Sequence, residues 1–195
     1  GSVFIAGAAI QWLRDSLKVI GKASETEKIA QSIQKLHDIY VVPAFAGLGA
    51  PYWDMYSRGA IFGLTRDTGV DHIIKATLES LAYQTKDIID VMEKDSGIKL
   101  KSLKVDGGAC MNNYLMQFQS DLLDCEVLRP EIIENTAMGA GYLAGLQSNI
   151  WDKDQIIKNQ KIDRSFIPTI NDSEREKMYR GWKKAVNRTF NWIEK

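Results

Sequence analysis

Val42-Pro43-Ala44-Phe45-Ala46-Gly47-Leu48-Gly49-Ala50-Pro51-Tyr52-Trp53-Asp54-Met55-Tyr56-Ser57-Arg58-Gly59-Ala60-Ile61-Phe62-Gly63-Leu64-Thr65 is a run in which glycines, prolines and aromatics crowd together. No helix tolerates that composition, and a loop built this way holds backbone close to something else. Strand-forming residues flank and enter it. Tyr40 to Phe45 reads as a strand leading in, and Ala60 to Leu64 as a strand leading out.

Helices are expected on both sides. Downstream, Asp71 is placed to cap a long helix in which Ile74, Leu78, Leu81, Ile88 and Met92 recur at helical steps, and Gly97 stops it. A strand over Leu100 to Val105, a tight turn at Asp106-Gly107-Gly108-Ala109, a helix over Asn112 to Leu123 and a strand over Glu126 to Leu128 follow. Thr136, a possible cap, opens a helix to Gln147. The polar stretch Trp151 to Ser165 reads as an extended connection. Ser173 with Glu176 fits a capping box for a terminal helix carrying Met178, Trp182, Val186, Phe190 and Ile193 on one face. Upstream, Val3-Phe4-Ile5 reads as a short strand released by Gly7 into a helix faced by Ile10, Leu13, Leu17 and Ile20 and ended by Gly21. Ser24 and Glu27 fit a capping box for a helix running roughly to Leu36. Alternating strands and helices predict an α/β layered domain with helices on both faces of a sheet. It is expected to be a single domain over 1–195, with 171–195 its terminal helix. Gly1-Ser2 reads as native sequence or a cloning scar. An opening in mid-strand implies a segment of a longer chain.

Of 195 residues, 45% are hydrophobic, and 25 Lys and Arg balance 25 Asp and Glu. That is enough apolar sequence for a full core, and a neutral balance gives no field for nucleic acid or an anionic membrane. Phosphate recognition would have to be local. Cys110 and Cys125 have no metal or disulfide spacing, which points to reduced thiols in a cytoplasm. No apolar run reaches the length of a membrane span, and the N-terminal residues lack the pattern of a signal peptide. His37 and His72 have no ligand partners at metal spacing.

The turn Asp106-Gly107-Gly108-Ala109 carries the strongest chemical signal. Its glycines let backbone meet a bound group, and the helix after it directs free N–H groups and a positive dipole end at the turn, which suits a phosphate. Asn112, one turn on, offers a donor and an acceptor such as an adenine edge needs. A tight turn with no ligand would have the same local sequence. Gly7 and Gln11 repeat the theme, although read alone a strand-to-helix turn with a solvent-facing glutamine explains them better. Asp106 either approaches a metal–phosphate group through water or simply holds the turn. Asp54, Arg58 and Arg66 pair with one another on the surface or contact phosphate. The three glycines of the helix Thr136 to Gly145 permit close approach to a neighbouring helix or a ligand, tight packing being the more common cause. Lys183, Lys184 and Arg188 form a solvated face. Neither a P-loop nor a dinucleotide fingerprint is present.

These pieces together resemble the FGGY carbohydrate kinases. The family signature is matched by Gly59-Ala60-Ile61-Phe62-Gly63-Leu64, then His72-Ile73, then Ala76-Thr77-Leu78-Glu79. It is strengthened by Ala8-Ala9-Ile10-Gln11-Trp12-Leu13-Arg14-Asp15, Tyr83-Gln84-Thr85, Val105-Asp106-Gly107-Gly108 and Gly181-Trp182-Lys183-Lys184-Ala185-Val186. The run Gly47-Leu48-Gly49-Ala50-Pro51-Tyr52-Trp53 is similar to members that phosphorylate glycerol rather than pentuloses or gluconate. The resemblance implies a ribonuclease-H-like domain of the actin-like ATPase fold, with a mixed sheet and helices on both faces. It also implies an interdomain cleft for ATP or ADP with Mg²⁺, and transfer of the γ-phosphoryl group to glycerol. Gly7, Gln11, Gly108 and Asn112 match the family's nucleotide-contacting positions. The catalytic aspartate and the glycerol-holding residues fall before the region represented here, so no catalytic residue is expected in this chain and it is expected to be inactive alone. A cytoplasmic homo-oligomer is implied for the whole enzyme. Another FGGY sugar or polyol kinase, or a nucleotide-binding or structural module without catalysis, remains the alternative.

Overall fold

The computed structural model describes residues 3–33, 38–159 and 161–194. Gly1, Ser2, Leu36 and His37, named above, lie outside them. The longest element is helix α3 (Val70–Ser96), and the rest is built around it. Its Ile74, Leu78, Leu81 and Ile88 are buried, as the periodicity predicts, whereas Met92 is half exposed. It starts at Gly69, whose N–H donates to His72 Nδ1, so Asp71 sits in the first turn beside the positive dipole end and is not the cap. Gly97 ends it in the left-handed region.

Strands β1 (Tyr40–Val42) and β2 (Ala60–Phe62) form an antiparallel pair, shorter than expected. Pro43, which lacks an N–H, follows β1. The loop between them does hold backbone close to something, and that something is its own chain. The Leu48 N–H donates to the Asp54 carbonyl at 2.7 Å. Just beyond β2, Gly63 has φ +84° and a Cβ there would overlap the Asp38 carbonyl oxygen, so only glycine fits. Asp54 does not pair with Arg58. Its carboxylate accepts from Ser57 Oγ at 2.7 Å and from the backbone N–H groups of Tyr56 and Asn191, tying the loop to the C-terminal residues. Arg58 donates instead to the carbonyls of Met55 and Ser57.

A second, mixed sheet has the order β3-β4-β5. Strands β3 (Ser102–Lys104) and β4 (Glu126–Pro130) run parallel, joined through a 3₁₀ turn (Gly108–Met111) and helix α4 (Asn113–Leu123). Strand β5 (Ile162–Phe166) pairs antiparallel with β4. This corrects the reading of 151–165 as an extended connection, since α6 (Lys153–Asn159) and β5 occupy it. β5 is an edge strand with exposed charged residues, and the sheet partner, not its own sequence, defines it.

Helix α4 covers one face of this sheet, where Val127, Leu115, Phe118 and Leu122 join the main core. Helix α5 (Asn135–Gln147) lies across a groove from the other face, with Met138 and Tyr142 opposite Leu128 and Pro130. Thr136 is inside α5 and caps nothing. The tight packing expected of its glycines is met at Gly145, against Trp151, while a Cβ at Gly139 or Gly141 would touch nothing. Leu143 is 70% exposed.

Helix α7 (Asp172–Asn187) opens on Asn171, whose side chain accepts from the Glu174 N–H at 3.0 Å. Asparagine outcompetes the expected Ser173 box because it reaches the free amide one turn on. Trp182 stacks on Tyr83 with centroids 5.2 Å apart, and its indole N–H donates to buried Asp87 at 2.7 Å. Tyr179 OH donates to the same carboxylate at 2.7 Å. Burial raises the Asp87 pKa despite these donors.

Candidate functional site

Helix α1 (Gly7–Gln11) continues through a π-helical turn (Trp12–Ser16). Val3–Ile5 is not a strand. The Ile5 carbonyl accepts from Gln84 Nε2 of α3 at 3.0 Å, which sets the entry to α1. The wide turn shifts the register, so Leu13 and Ile20 are buried while Leu17 points outward. The helix ends before Gly21. Lys18 takes a left-handed conformation and the Val19 N–H returns to the Leu13 carbonyl. Helix α2 (Glu25–Ser32) starts where expected, but Ser24 makes no cap bond and Glu27 turns elsewhere.

α3 packs against α1, α2 and α4, so the starts of these three shorter helices converge. Between them is a cleft of about 350 Å³, inside the range of roughly 300–1,000 Å³ usual for small-molecule sites. Gly7, Gln11, Gly108 and Asn112, separated by up to about a hundred positions in sequence, all line it. Ile10, Leu78, Leu81 and Leu115 give it an apolar floor. Gly107 supplies the turn geometry. Its φ of +77° favours glycine, and its N–H is held by the Ile133 carbonyl at 2.8 Å. Gly108 is different, as is Gly7. Neither has an unusual φ, and a Cβ on either would touch no other atom within 4 Å.

Asn112 corrects the expectation of a free donor–acceptor edge. Its Oδ1 caps α4 by accepting from the Leu115 N–H at 2.9 Å, and its Nδ2 donates to Thr26 Oγ1 at 3.1 Å. One hydrogen of the amide and one lone pair remain for a ligand. Arg14 and Glu27 stand at the rim. Arg14 is held by Asp15 at 2.6 Å, a hydrogen-bonded pair that raises the arginine pKa and lowers that of the aspartate. Glu27 accepts from Asn113 through both carboxylate oxygens. Asp106 is exposed, and neither it nor Asp54, Arg58 or Arg66 lines the cleft. Among the described residues no group of three or more His, Cys, Asp or Glu side chains is arranged to hold a metal. Behind the cleft wall, Glu79 accepts from Tyr114 OH at 2.5 Å, and burial pushes its pKa up to about 7. Both cysteines are buried and unpaired. No helix among the described residues is long and apolar enough to cross a membrane.

A mixed α/β domain built in this order is the fold of a carbohydrate-kinase C-terminal domain. The sequence profile described as the FGGY family of carbohydrate kinases, C-terminal domain, matches residues 1–148, and the chain belongs to that family. Within it the chain is a homologue of the glycerol kinases. It is 60% identical over 193 residues to the enzyme of Alkaliphilus metalliredigens and 57% identical over 196 residues to that of Clostridium botulinum strain Langeland. The chain spans 39% of the length of these curated relatives. The crystal structure of Plasmodium falciparum glycerol kinase with ADP superposes with a TM-score of 0.88 at 37% identity, covering 97% of this chain and 38% of that one. A ligand-bound xylulose kinase from Lactobacillus acidophilus shares the fold, with a TM-score of 0.80 at 20% identity over 95% of this chain and 38% of that one.

Proposed function

We propose that the cleft holds the nucleotide of an ATP-dependent glycerol kinase, which converts ATP and glycerol to ADP and sn-glycerol 3-phosphate. The observation that carries this is the pair Gly7 and Gly108. The protein itself gives no steric or conformational reason for glycine at either place, yet both border one cleft. A ligand that needs the missing side-chain volume supplies the reason. The apolar floor suits a flat base, and Gln11 and Asn112 offer polar groups at its edge. The backbone of the turn at Gly108 and Ala109 suits a phosphate, whereas the Asn113 and Leu115 N–H groups at the start of α4 are already engaged by Glu27 and Asn112.

The chain supplies the adenosine side and one edge of the phosphate site. The general base, the glycerol-holding side chains and the rest of the phosphate site belong to the remaining length of the relatives. Mg²⁺ finds no adequate donor set here, because among the described residues Glu27 is the only carboxylate in the cleft lining and Asn113 already engages it. The ion would reach the site with the nucleotide phosphates. Identity of 57–60% to glycerol kinases favours glycerol over pentuloses or gluconate, whose kinases share the fold at about 20% identity. A cytoplasmic homo-oligomer is the matching cellular form.

The test is a substrate panel on the complete protein that carries this sequence. ATP-dependent phosphorylation of glycerol, with little or no turnover of xylulose or gluconate, supports the reading. Preference for either sugar overturns it. Purified 195-residue chain should show no turnover of its own, and turnover by it would refute the division of labour.

A further inference from the structure

We infer that Arg129 is the positioning residue of the nucleotide turn, acting from beneath it through the backbone carbonyls of Cys110 and Met111. The inference rests on the nucleotide reading of the cleft. Arg129 is in β4, is only 7% exposed and touches no part of the cleft surface. Its Nη1 donates to the Cys110 carbonyl at 3.1 Å, to Asn113 Oδ1 at 3.1 Å and, at the longer distance of 3.5 Å, to the Met111 carbonyl. The other side of the guanidinium is clamped by Asp163 of β5, with Nε at 2.8 Å and Nη2 at 2.7 Å from Oδ2. Phe166 supports it from one face.

The consequence is directional. Carbonyls at the end of the turn are drawn down to a fixed cation, which orients the Cys110–Met111 and Met111–Asn112 peptide planes and so fixes the end of the turn that carries Gly108 and Ala109. A 3₁₀ turn of four residues has little hydrogen bonding of its own, so its geometry must come from outside. Asn113 extends the brace. Its Oδ1 accepts from Arg129 and from Arg164, while its N–H and Nδ2 donate to Glu27 at the opposite rim. Arg129 thereby sets the turn relative to α2 as well. Lysine cannot replace it, because one ammonium cannot meet Asp163 and two separate carbonyls with the geometry of a planar fork. Preorganised backbone donors bind an anion more tightly than mobile ones, and the apolar floor would not notice the change.

The experiment compares wild type, Arg129→Lys and Asp163→Asn, the last being a milder change at a half-exposed partner in case the buried variant folds poorly. Amide hydrogen exchange without ligand reads the turn, and calorimetric titration reads ADP and adenosine. Arg129→Lys should speed exchange at 107–113 at least tenfold while α3 is unchanged. It should weaken ADP about tenfold and adenosine less than twofold, with Asp163→Asn in between. Unchanged exchange in the turn, exchange that rises equally throughout the protein, or equal losses for ADP and adenosine would overturn the assignment. If wild type bound neither ligand, the nucleotide reading itself would fail and the positioning role with it, whatever the exchange data said of the brace.

Discussion

Replacing Asn112 by alanine removes two bonds with different consequences. The first is the cap on α4, where Oδ1 accepts from the Leu115 N–H at 2.9 Å. Loss of such a cap costs about 1 kcal/mol. The second is the bond from Nδ2 to Thr26 Oγ1 at 3.1 Å, with a net value of about 0.5–1.5 kcal/mol. Thr26 keeps its own donor bond to the Ala23 carbonyl at 2.7 Å, so no buried donor is orphaned and no further penalty arises. The sum is about 1.5–2.5 kcal/mol, or a fall in midpoint of roughly 3–10 °C for a chain of this size. Asn112→Asp separates stability from binding. It keeps the cap oxygen and adds a favourable charge at a helix N-terminus, so it should melt within about 3 °C of wild type. Its carboxylate lines the cleft beside Glu27 and should weaken ADP binding at least tenfold. Thermal unfolding followed by circular dichroism, with ADP titration on each variant, reads both effects. An alanine variant that melts with wild type would refute the capping geometry. An aspartate variant that binds ADP as wild type does would remove Asn112 from the ligand's surroundings.

Glu79 gives a pH test. Its pKa rises from 4.5 to about 7 on burial, so the folded protein holds a proton that the unfolded chain releases. That stability is fully present below pH 4.5 and is lost as pH rises to 7, by roughly 3 kcal/mol in all. Glu79→Gln keeps an acceptor for Tyr114 and removes the ionisation, so its melting midpoint should exceed that of wild type at pH 8 and the advantage should shrink at pH 5; the same difference at both values would contradict the shift. Leu143, exposed on α5, should drive self-association of the isolated chain. Leu143→Glu should lower the associated fraction in sedimentation velocity without moving the midpoint by more than about 0.5 kcal/mol equivalent, and unaltered association would point to another face.

Periodicity made α3 legible, because a long helix buries one continuous stripe. Gly108 and Asn112 are legible as local turn chemistry and Gly7 and Gln11 only through the family resemblance, while the convergence of all four is not legible, since it depends on how α1, α2 and α4 meet α3. Val3–Ile5 misled because three apolar residues do not distinguish a strand from a packed entry to a helix. Leu17 departs from the expected face because it directly follows the π turn, whose extra residue rotates it outward. Asn112 offers a free edge on local sequence alone, yet its position three residues before Leu115 equally marks a cap. β5 was missed because its strand character comes from pairing with β4. Arg129 left only a faint signal, a charged residue in the alternation of β4 on the same side as buried Val127. Its partners Cys110, Asn113 and Asp163 share no sequence spacing that chemistry alone would single out.

Calorimetric titration of the 195-residue chain with ADP, alongside Gly108→Val, decides whether the cleft is a nucleotide site. A Cβ at Gly108 touches nothing in the protein, so the variant should fold and melt as wild type does while its side chain fills space in the cleft. Saturable binding by wild type and loss of at least tenfold in the variant, about 1.4 kcal/mol, is the predicted result. Equal binding by both proteins, or none by a folded wild type, would contradict it.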